Sequence, residues 1–180
     1  MFESCSVHSL MFLLRMKELI KSQMMAALAT LKQCIENCAD SEWQESHNDA
    51  PFSQVLFHAL IYTDLYLSKD VPEFKAQQFH IDNKNIFRDY EELEYKEPVE
   101  LYTKEEIKLY FDFCGNKIDE YFSKLETGNL MEESSHLGKM KNAELLIYIT
   151  RHIQHHAAQL GLRLEQIGGK EQKWIKSGGA

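Results

Sequence analysis

Four stretches of the sequence place apolar residues three or four positions apart, which is the spacing of one face of an α-helix. In the first stretch, from about residue 8 to 39, the apolar positions are Leu13, Met16, Ile20, Met24, Ala27, Leu31, Cys34 and Cys38. The second stretch runs from Phe52 to Leu67 after Pro51, and a proline suits the first turn of a helix. It is apolar on nearly every side, so this helix is expected to lie deep in the protein. No stretch alternates apolar and polar residues for long enough to predict a strand.

The third and fourth stretches carry recognisable helix ends. Thr103 followed by Glu106 predicts a capping box, and the helix it starts is expected to continue to Gly128. The apolar positions of that helix are Ile107, Phe111, Cys114, Ile118, Tyr121 and Leu125. The fourth helix is predicted from about Asn142 to Ile167, where Gly168 and Gly169 end it. Four helices with mostly short connections predict an all-α four-helix bundle.

One connection, residues 68–102, is long and contains Pro72 and Pro98. A structureless loop of that length is unusual inside a compact domain. We expect short helical turns there, with aromatic side chains packed across one end of the bundle. Those aromatic residues are Phe74, Phe79, Phe87, Tyr90, Tyr95 and Tyr102. The sequence does not indicate what else this connection does.

The length of 180 residues predicts one helical domain, 1–180, with its core at about 8–167. Residues 168–180 are expected to form a flexible tail, although Trp174 and Ile175 could dock on the bundle.

The charge and composition of the chain limit the classes of partner and the cellular compartment that can be expected. A net charge of −8 without a Lys/Arg-rich stripe argues against nucleic acid binding. No apolar run approaches the ~18 residues of a membrane helix. With Glu3 and no basic segment, the N-terminus does not predict a signal peptide around Met11 to Leu14. The four cysteines form no CxxC pair, which favours a reducing compartment, and we predict the cytoplasm.

Two histidines of the fourth helix are the strongest candidates for chemistry. His152 and His156 lie four residues apart and therefore share one helix face. That face continues the apolar positions Leu145, Ile149, Leu160, Leu164 and Ile167. Core-facing imidazoles need partners, and two interpretations stay open: a shared metal ion, or hydrogen bonds to Tyr or carboxylate groups. His155 lies off this face, beside Tyr148 and Gln159, and is not predicted as a ligand.

A third ligand is available in His58, the only imidazole of the apolar second helix. Three His ligands with an open position are typical of a catalytic zinc site. Other metal architectures fail on ligand count: a zincin needs HExxH, but residue 153 is Ile. Di-iron bundles need two ExxH motifs, and the chain has one, from Glu133 to His136, in a polar stretch. The thiols of Cys34, Cys38 and Cys114 are interpreted as core packing.

The segments from Phe52 to Leu60 (FSQVLFHAL) and from His152 to Leu160 (HIQHHAAQL) resemble the DinB/YfiT-like family of metal-dependent four-helix bundles. Its members carry one His on the second helix and HxxxH on the last, typically within H-x-x-H-H-R-G-Q-L. The resemblance covers residues 8–167 and implies His58, His152 and His156 as metal ligands, with water completing the shell. Ala157 and Ala158 stand where the family commonly has Arg-Gly, which puts any role of that guanidinium in doubt.

The family includes S-transferases that use bacillithiol or mycothiol, and a maleylpyruvate isomerase. The resemblance therefore implies a metal-dependent transferase acting on a low-molecular-weight thiol and a small electrophile, or a hydrolase that activates water. Tyr62 and Tyr148 could line an electrophile pocket or simply belong to the core. Imidazole ligands favour zinc or nickel, with iron, manganese or copper as alternatives. Two rival interpretations stay open: a non-catalytic stress or sensor bundle whose metal, if present, connects the second and fourth helices, and an interaction bundle without metal. The resemblance also implies a homodimer.

Overall fold

The computed structural model describes residues 2–46, 50–87, 100–138, 140–170 and 172–178, with side chains from residue 8 onward. These residues form six α-helices: α1 Phe2–Asn37, α2 Phe52–Tyr66, α3 Val71–Ala76, α4 Gln78–Asp82, α5 Lys104–Lys124 and α6 Asn142–Gln166. Two short 3-10 helices, Asp40–Glu42 and Thr127–Met131, follow α1 and α5. The described ranges contain no strand, only an isolated bridge between Glu133 and Lys141. Within those ranges, no helix combines the length and the apolar character needed to cross a membrane.

The four long helices α1, α2, α5 and α6 lie where the periodicity predicted them, with differences at their ends. α1 begins at Phe2 instead of about residue 8 and ends at Asn37 instead of residue 39. α5 ends at Lys124, before the predicted Gly128, because Leu125 has an extended backbone and a 3-10 turn takes over.

The predicted helix signals act as expected. The capping box at α5 is complete: Thr103 Oγ1 accepts from the Glu106 amide, and the Glu106 carboxylate accepts from the Thr103 amide. At the end of α6, Gly168 has a φ of +74°, which favours glycine. The amide of Gly169 then donates to the carbonyl of Leu164 at 2.7 Å. Both predicted boundaries are confirmed to within a residue.

The main helix contacts join α1 to α5 and α6, and α2 to the same two helices. Twelve of the 15 residues of α2 are buried, which confirms its predicted position deep in the protein. In α1 the predicted apolar face is fully buried from Met24 to Cys38 and half-buried at Leu13, Met16 and Ile20. The close packing of α2 against α6 is what positions the candidate site.

The connection between α2 and α5 contains the predicted helical turns, α3 and α4, followed by residues packed on the core. Phe74, Phe87 and Tyr102 are buried, and Tyr102 stacks on Phe57 with ring centroids 4.0 Å apart. The expected aromatic cover is therefore confirmed for these residues. Tyr90, Tyr95 and Pro98 lie outside the described residues.

Residues 172–178 lie along α1 in the opposite direction and are bound mainly through their backbone. The side-chain amide of Gln33 both donates to and accepts from the backbone of Lys173, at 3.0 and 2.9 Å. The amide of Gly178 donates to the carbonyl of Ser22 at 2.8 Å. Trp174 is 76% exposed, so the segment does not dock through its indole ring, whereas Ile175 is half-buried. The flexibility of residues 168–180 stays a prediction.

Candidate metal centre

Three imidazoles from two helices meet between α2 and α6. The Nε2 atom of His152 lies 3.2 Å from Nε2 of His58 and 3.2 Å from Nε2 of His156. All three candidate ligand atoms lie within 4.8 Å of one another, and all three residues are half-buried. The structure thus brings together the three histidines that the sequence singled out, although they come from positions 94 residues apart.

Local geometry explains the convergence. His152 and His156 follow one another by a single turn of α6, so their rings project from the same face. His58 lies in the middle of α2 on the half-buried side that it shares with Tyr62 and Tyr66. Its ring contacts those of His152 and His156 on α6, with centroids 5.2 and 4.8 Å away. His155 is exposed on the outer side of α6 and is not part of the cluster, as expected.

The spacing of the three nitrogens fits a metal ion. Two nitrogens bound to one tetrahedral ion at ~2.1 Å each are separated by about 3.4 Å. The observed 3.2 Å separations are close to that value. Without a cation, one of two arrangements would result. Either the Nε2–H of His152 would donate to Nε2 of both His58 and His156, or unprotonated Nε2 atoms would face each other with their lone pairs. A cation instead satisfies all three lone pairs at once, so the residues present could hold a metal ion.

Protonation also favours ligation. The Nδ1–H of His156 donates to Oε1 of Gln159 at 2.9 Å, which leaves the Nε2 lone pair directed at the cluster. Burial first, and then the neighbouring imidazoles of His156, His58 and His155, together lower the pKa of His152 to about 3. His152 is therefore neutral at physiological pH, the form that binds metals.

Aromatic rings border the cluster. Tyr62 lies 4.8 Å from His58 between ring centroids, and Tyr148 lies parallel to His152 at 6.4 Å. Both tyrosines are half-buried beside the cluster, and their role in an electrophile pocket stays a prediction. Tyr66 joins them, at 5.7 Å from Tyr62 and 5.8 Å from Tyr148. Tyr66 was not predicted from the sequence, although its position one turn after Tyr62 on the same face of α2 could have indicated it.

A pocket of 420 Å³ lies on the outer side of α6 beside the cluster, and it reaches His152 but not the other two imidazoles. Its lining consists of Tyr148, Arg151, His152, Gln154 and His155. None of these residues carries a carboxylate.

The other metal candidates of the sequence do not assemble. Glu133 is exposed and lies 4.0 Å from the amine of Lys141, while Nε2 of His136 donates to the carbonyl of Ser68 at 2.7 Å. His136 also packs edge-to-face on Tyr66. The His of the single ExxH motif therefore binds the backbone just after α2, whereas its Glu lies beside Lys141 instead.

The described cysteines are packing residues, as interpreted from the sequence. Cys34, Cys38 and Cys114 are each no more than 2% exposed. Burial raises the pKa of Cys34 to about 12 and that of Cys38 to about 11, and it raises the pKa of Cys114 as well. Thiols in this state are poor nucleophiles. The side chain of Cys5 lies outside the described residues.

A second polar cluster, missed by the sequence analysis, surrounds Asp64. This carboxylate is fully buried and binds His80 and Tyr110, each at 2.8 Å, and also the Lys117 amine. Gln77 donates to it as well, at 3.0 Å. A charged residue in the otherwise apolar α2 was the signal that could have indicated such a cluster. It connects α2, α4 and α5, away from the three histidines.

Comparison with known proteins adds no relative: no family model matches the chain, and no curated protein or solved structure matches it either. The resemblance to the DinB/YfiT-like family therefore rests on the two segments that carry the histidines and on the order of the helices.

Proposed function

We propose that the chain is a DinB/YfiT-like four-helix bundle that binds one divalent transition metal through His58, His152 and His156. The observation that carries this proposal is the convergence of three imidazoles from two neighbouring helices, with Nε2 of His152 lying 3.2 Å from Nε2 of His58 and of His156 and all three ligand atoms within 4.8 Å of one another. The contacts of α1 and α2 with α5 and α6 support the bundle. Neutral imidazoles favour zinc or nickel, with iron or manganese as alternatives.

We further propose that the site serves a thiol-dependent S-transferase, or a related transferase or hydrolase. A bound divalent cation lowers the pKa of a thiol or water molecule that reaches its open position. In S-transfer, the thiol loses its proton to solvent and its sulfur forms a bond to an electrophilic carbon. The leaving group then departs with the electron pair of the broken bond. This chemistry requires an open position, which three protein ligands leave.

The residues of the chain have separate roles in this scheme. The three histidines hold the cation, and Gln159 orients the ring of His156 through the hydrogen bond to Nδ1. The rings of Tyr62, Tyr66 and Tyr148 offer an apolar surface to a small electrophile next to the cluster.

Elemental analysis of the purified protein tests the metal site. We expect about one metal ion per chain in the wild type and none in the double variant His58→Ala, His152→Ala. The matched control is His155→Ala, which removes an imidazole of the same helix from outside the cluster and should keep the metal. A metal-free wild type, or a double variant that retains the metal, contradicts the proposal.

The metal-loaded protein then tests the reaction when low-molecular-weight thiols are screened against a chlorinated or an epoxide acceptor. Formation of the thioether, lost in the double variant, supports the transferase. Absence of any product with a fully loaded site favours the second candidate, a non-catalytic metal-binding stress or sensor bundle. The observation behind that candidate is that the ligands come from α2 and α6, so a bound metal connects two helices.

We also propose that the protein is a cytoplasmic homodimer. Five large apolar residues of α1 support the dimer because each is about half exposed or more; they are Leu10, Met11, Phe12, Leu14 and Leu19. Light scattering of the purified protein measures the oligomeric state directly, and a monomer at micromolar concentration contradicts this part of the proposal.

A further inference from the structure

Arg151 places a permanent positive charge beside the imidazole cluster. It directly precedes His152 on α6 and is exposed on the outer side of that helix. It lines the pocket of 420 Å³ together with Tyr148 and Gln154. The pocket therefore places a guanidinium, a side-chain amide and an aromatic ring next to His152 of the candidate metal centre.

Of the residues that the structure describes in the lining of this pocket, Arg151 is the only one whose charge is permanent. The protein carries a net charge of −8, yet the pocket lining contains no carboxylate. Among the described residues, no carboxylate forms an ion pair with Arg151. Three neutral imidazoles with a divalent cation would add two further positive charges at the same place. Electrostatics at this edge therefore favours an anionic ligand.

We infer that this pocket binds the carboxylate of a small organic acid, with Arg151 as the recognition residue. This inference rests on the proposed function and deepens it, because the pocket is lined by His152, one of the three proposed ligands. The planar guanidinium matches a carboxylate with two parallel hydrogen bonds. The side-chain amide of Gln154 can donate a further bond, and the Tyr148 ring packs against the carbon chain.

The test compares two thiols of similar size on protein loaded with Co²⁺, whose absorption reports sulfur binding. We expect 3-mercaptopropionate to bind about tenfold more tightly than 2-mercaptoethanol, as one charge-assisted contact predicts. Arg151→Met should remove that preference while keeping the bound Co²⁺. Lys108→Met is the matched control, since it removes an exposed positive charge from α5, and it should keep the preference.

A second measurement, of propionate binding in the presence of 2-mercaptoethanol, shows whether the thiol or the acceptor carries the carboxylate. If the two thiols bind equally but propionate binds alongside 2-mercaptoethanol in an Arg151-dependent manner, the carboxylate belongs to the acceptor, and the pocket assignment stands. If neither 3-mercaptopropionate nor propionate depends on Arg151 in a protein that binds Co²⁺, the inference is overturned and the proposed metal site survives. A wild type that binds no Co²⁺ overturns both.

Discussion

The Nδ1–H of His156 donates to the side-chain oxygen of Gln159 at 2.9 Å, so a residue outside the candidate ligand set fixes which nitrogen faces the cluster. Such partners of ligating histidines hold the ring orientation and raise its basicity. Gln159 lies three residues after His156, so the helix itself keeps the pair in register.

Gln159→Leu should therefore weaken metal binding by about 10- to 100-fold without removing a ligand. Gln159→Glu keeps an acceptor for Nδ1–H and should restore the affinity. Competition with a chromogenic chelator measures both variants, with Gln154→Leu as a control on the same helix. Equal affinity in wild type and Gln159→Leu would show that the hydrogen bond has no influence on the site.

Metal binding should stabilise the fold, since the cluster joins α2 to α6. At 100 times the dissociation constant, a ligand that binds only the folded state adds about 2.7 kcal/mol. For a chain of this size, that corresponds to a rise in Tm of about 5–10 °C. Calorimetry with and without Zn²⁺ or Ni²⁺ measures the rise, which a chelator should reverse. The rise should persist in His155→Ala and disappear in His58→Ala; an equal rise in both variants would place the metal elsewhere.

The buried carboxylate of Asp64 should make stability sensitive to acid. Burial alone raises the pKa of Asp64, but hydrogen bonds and charge from His80 and Lys117 outweigh it and hold the pKa below the ordinary value. A depressed folded-state pKa stabilises the protein fully above the unfolded-state pKa, about 3.9. That contribution is lost as the pH falls below 3.9 and through the folded-state pKa.

Asp64→Asn should accordingly cost about 3–5 kcal/mol at pH 7, because it leaves the half-buried Lys117 and the buried His80 without their anion. The difference from wild type should shrink on acidification below about pH 4, as urea denaturation at several pH values can measure. Asp119→Asn is the control: it breaks the exposed pair with Lys21 and should cost less than about 1 kcal/mol. A pH-independent difference for Asp64→Asn would contradict the assignment.

Gly161 of α6 makes room for the side chain of Gln172, which donates to the carbonyl of Thr30 at 3.2 Å. A Cβ at position 161 would lie 2.1 Å from Oε1 of Gln172, so this side chain has to leave. Gly161→Ala should therefore loosen residues 172–178 from α1, seen as faster hydrogen exchange at the amides of Lys173 and Gly178.

Gly115→Ala on α5 is the matched control, since its added methyl group meets Leu28 at an ordinary 3.6 Å. It should stabilise the helix by up to about 1 kcal/mol and leave the exchange of residues 172–178 unchanged. Unaltered protection of Lys173 in Gly161→Ala would mean that the segment is held without Gln172.

The long helices and the histidine cluster could be predicted because their signals are local. Periodicity located α6, and the i,i+4 spacing put His152 and His156 on one face before any packing was known. His58 could be predicted as the third ligand because it is the only histidine of the buried helix α2. The charge of Asp64 in an apolar helix could have indicated a buried polar cluster, but its partners could not be predicted, because they come from α4 and α5 and only tertiary packing brings them together. For residues 172–178, the sequence indicated that Trp174 or Ile175 could dock, but it did not indicate the observed contacts with α1, because most of them use backbone groups, which leave no pattern in the sequence.

The separation of His58 and His152 by 94 residues has a consequence for synthesis in the cell. The second helix leaves the ribosome long before the last one, so no growing chain can assemble the cluster until α6 has formed and packed. Any ion that requires all three imidazoles is therefore acquired only after α6 has packed against α2. Local unfolding of α6 would release it again, which ties the occupancy of the site to the integrity of the last helix.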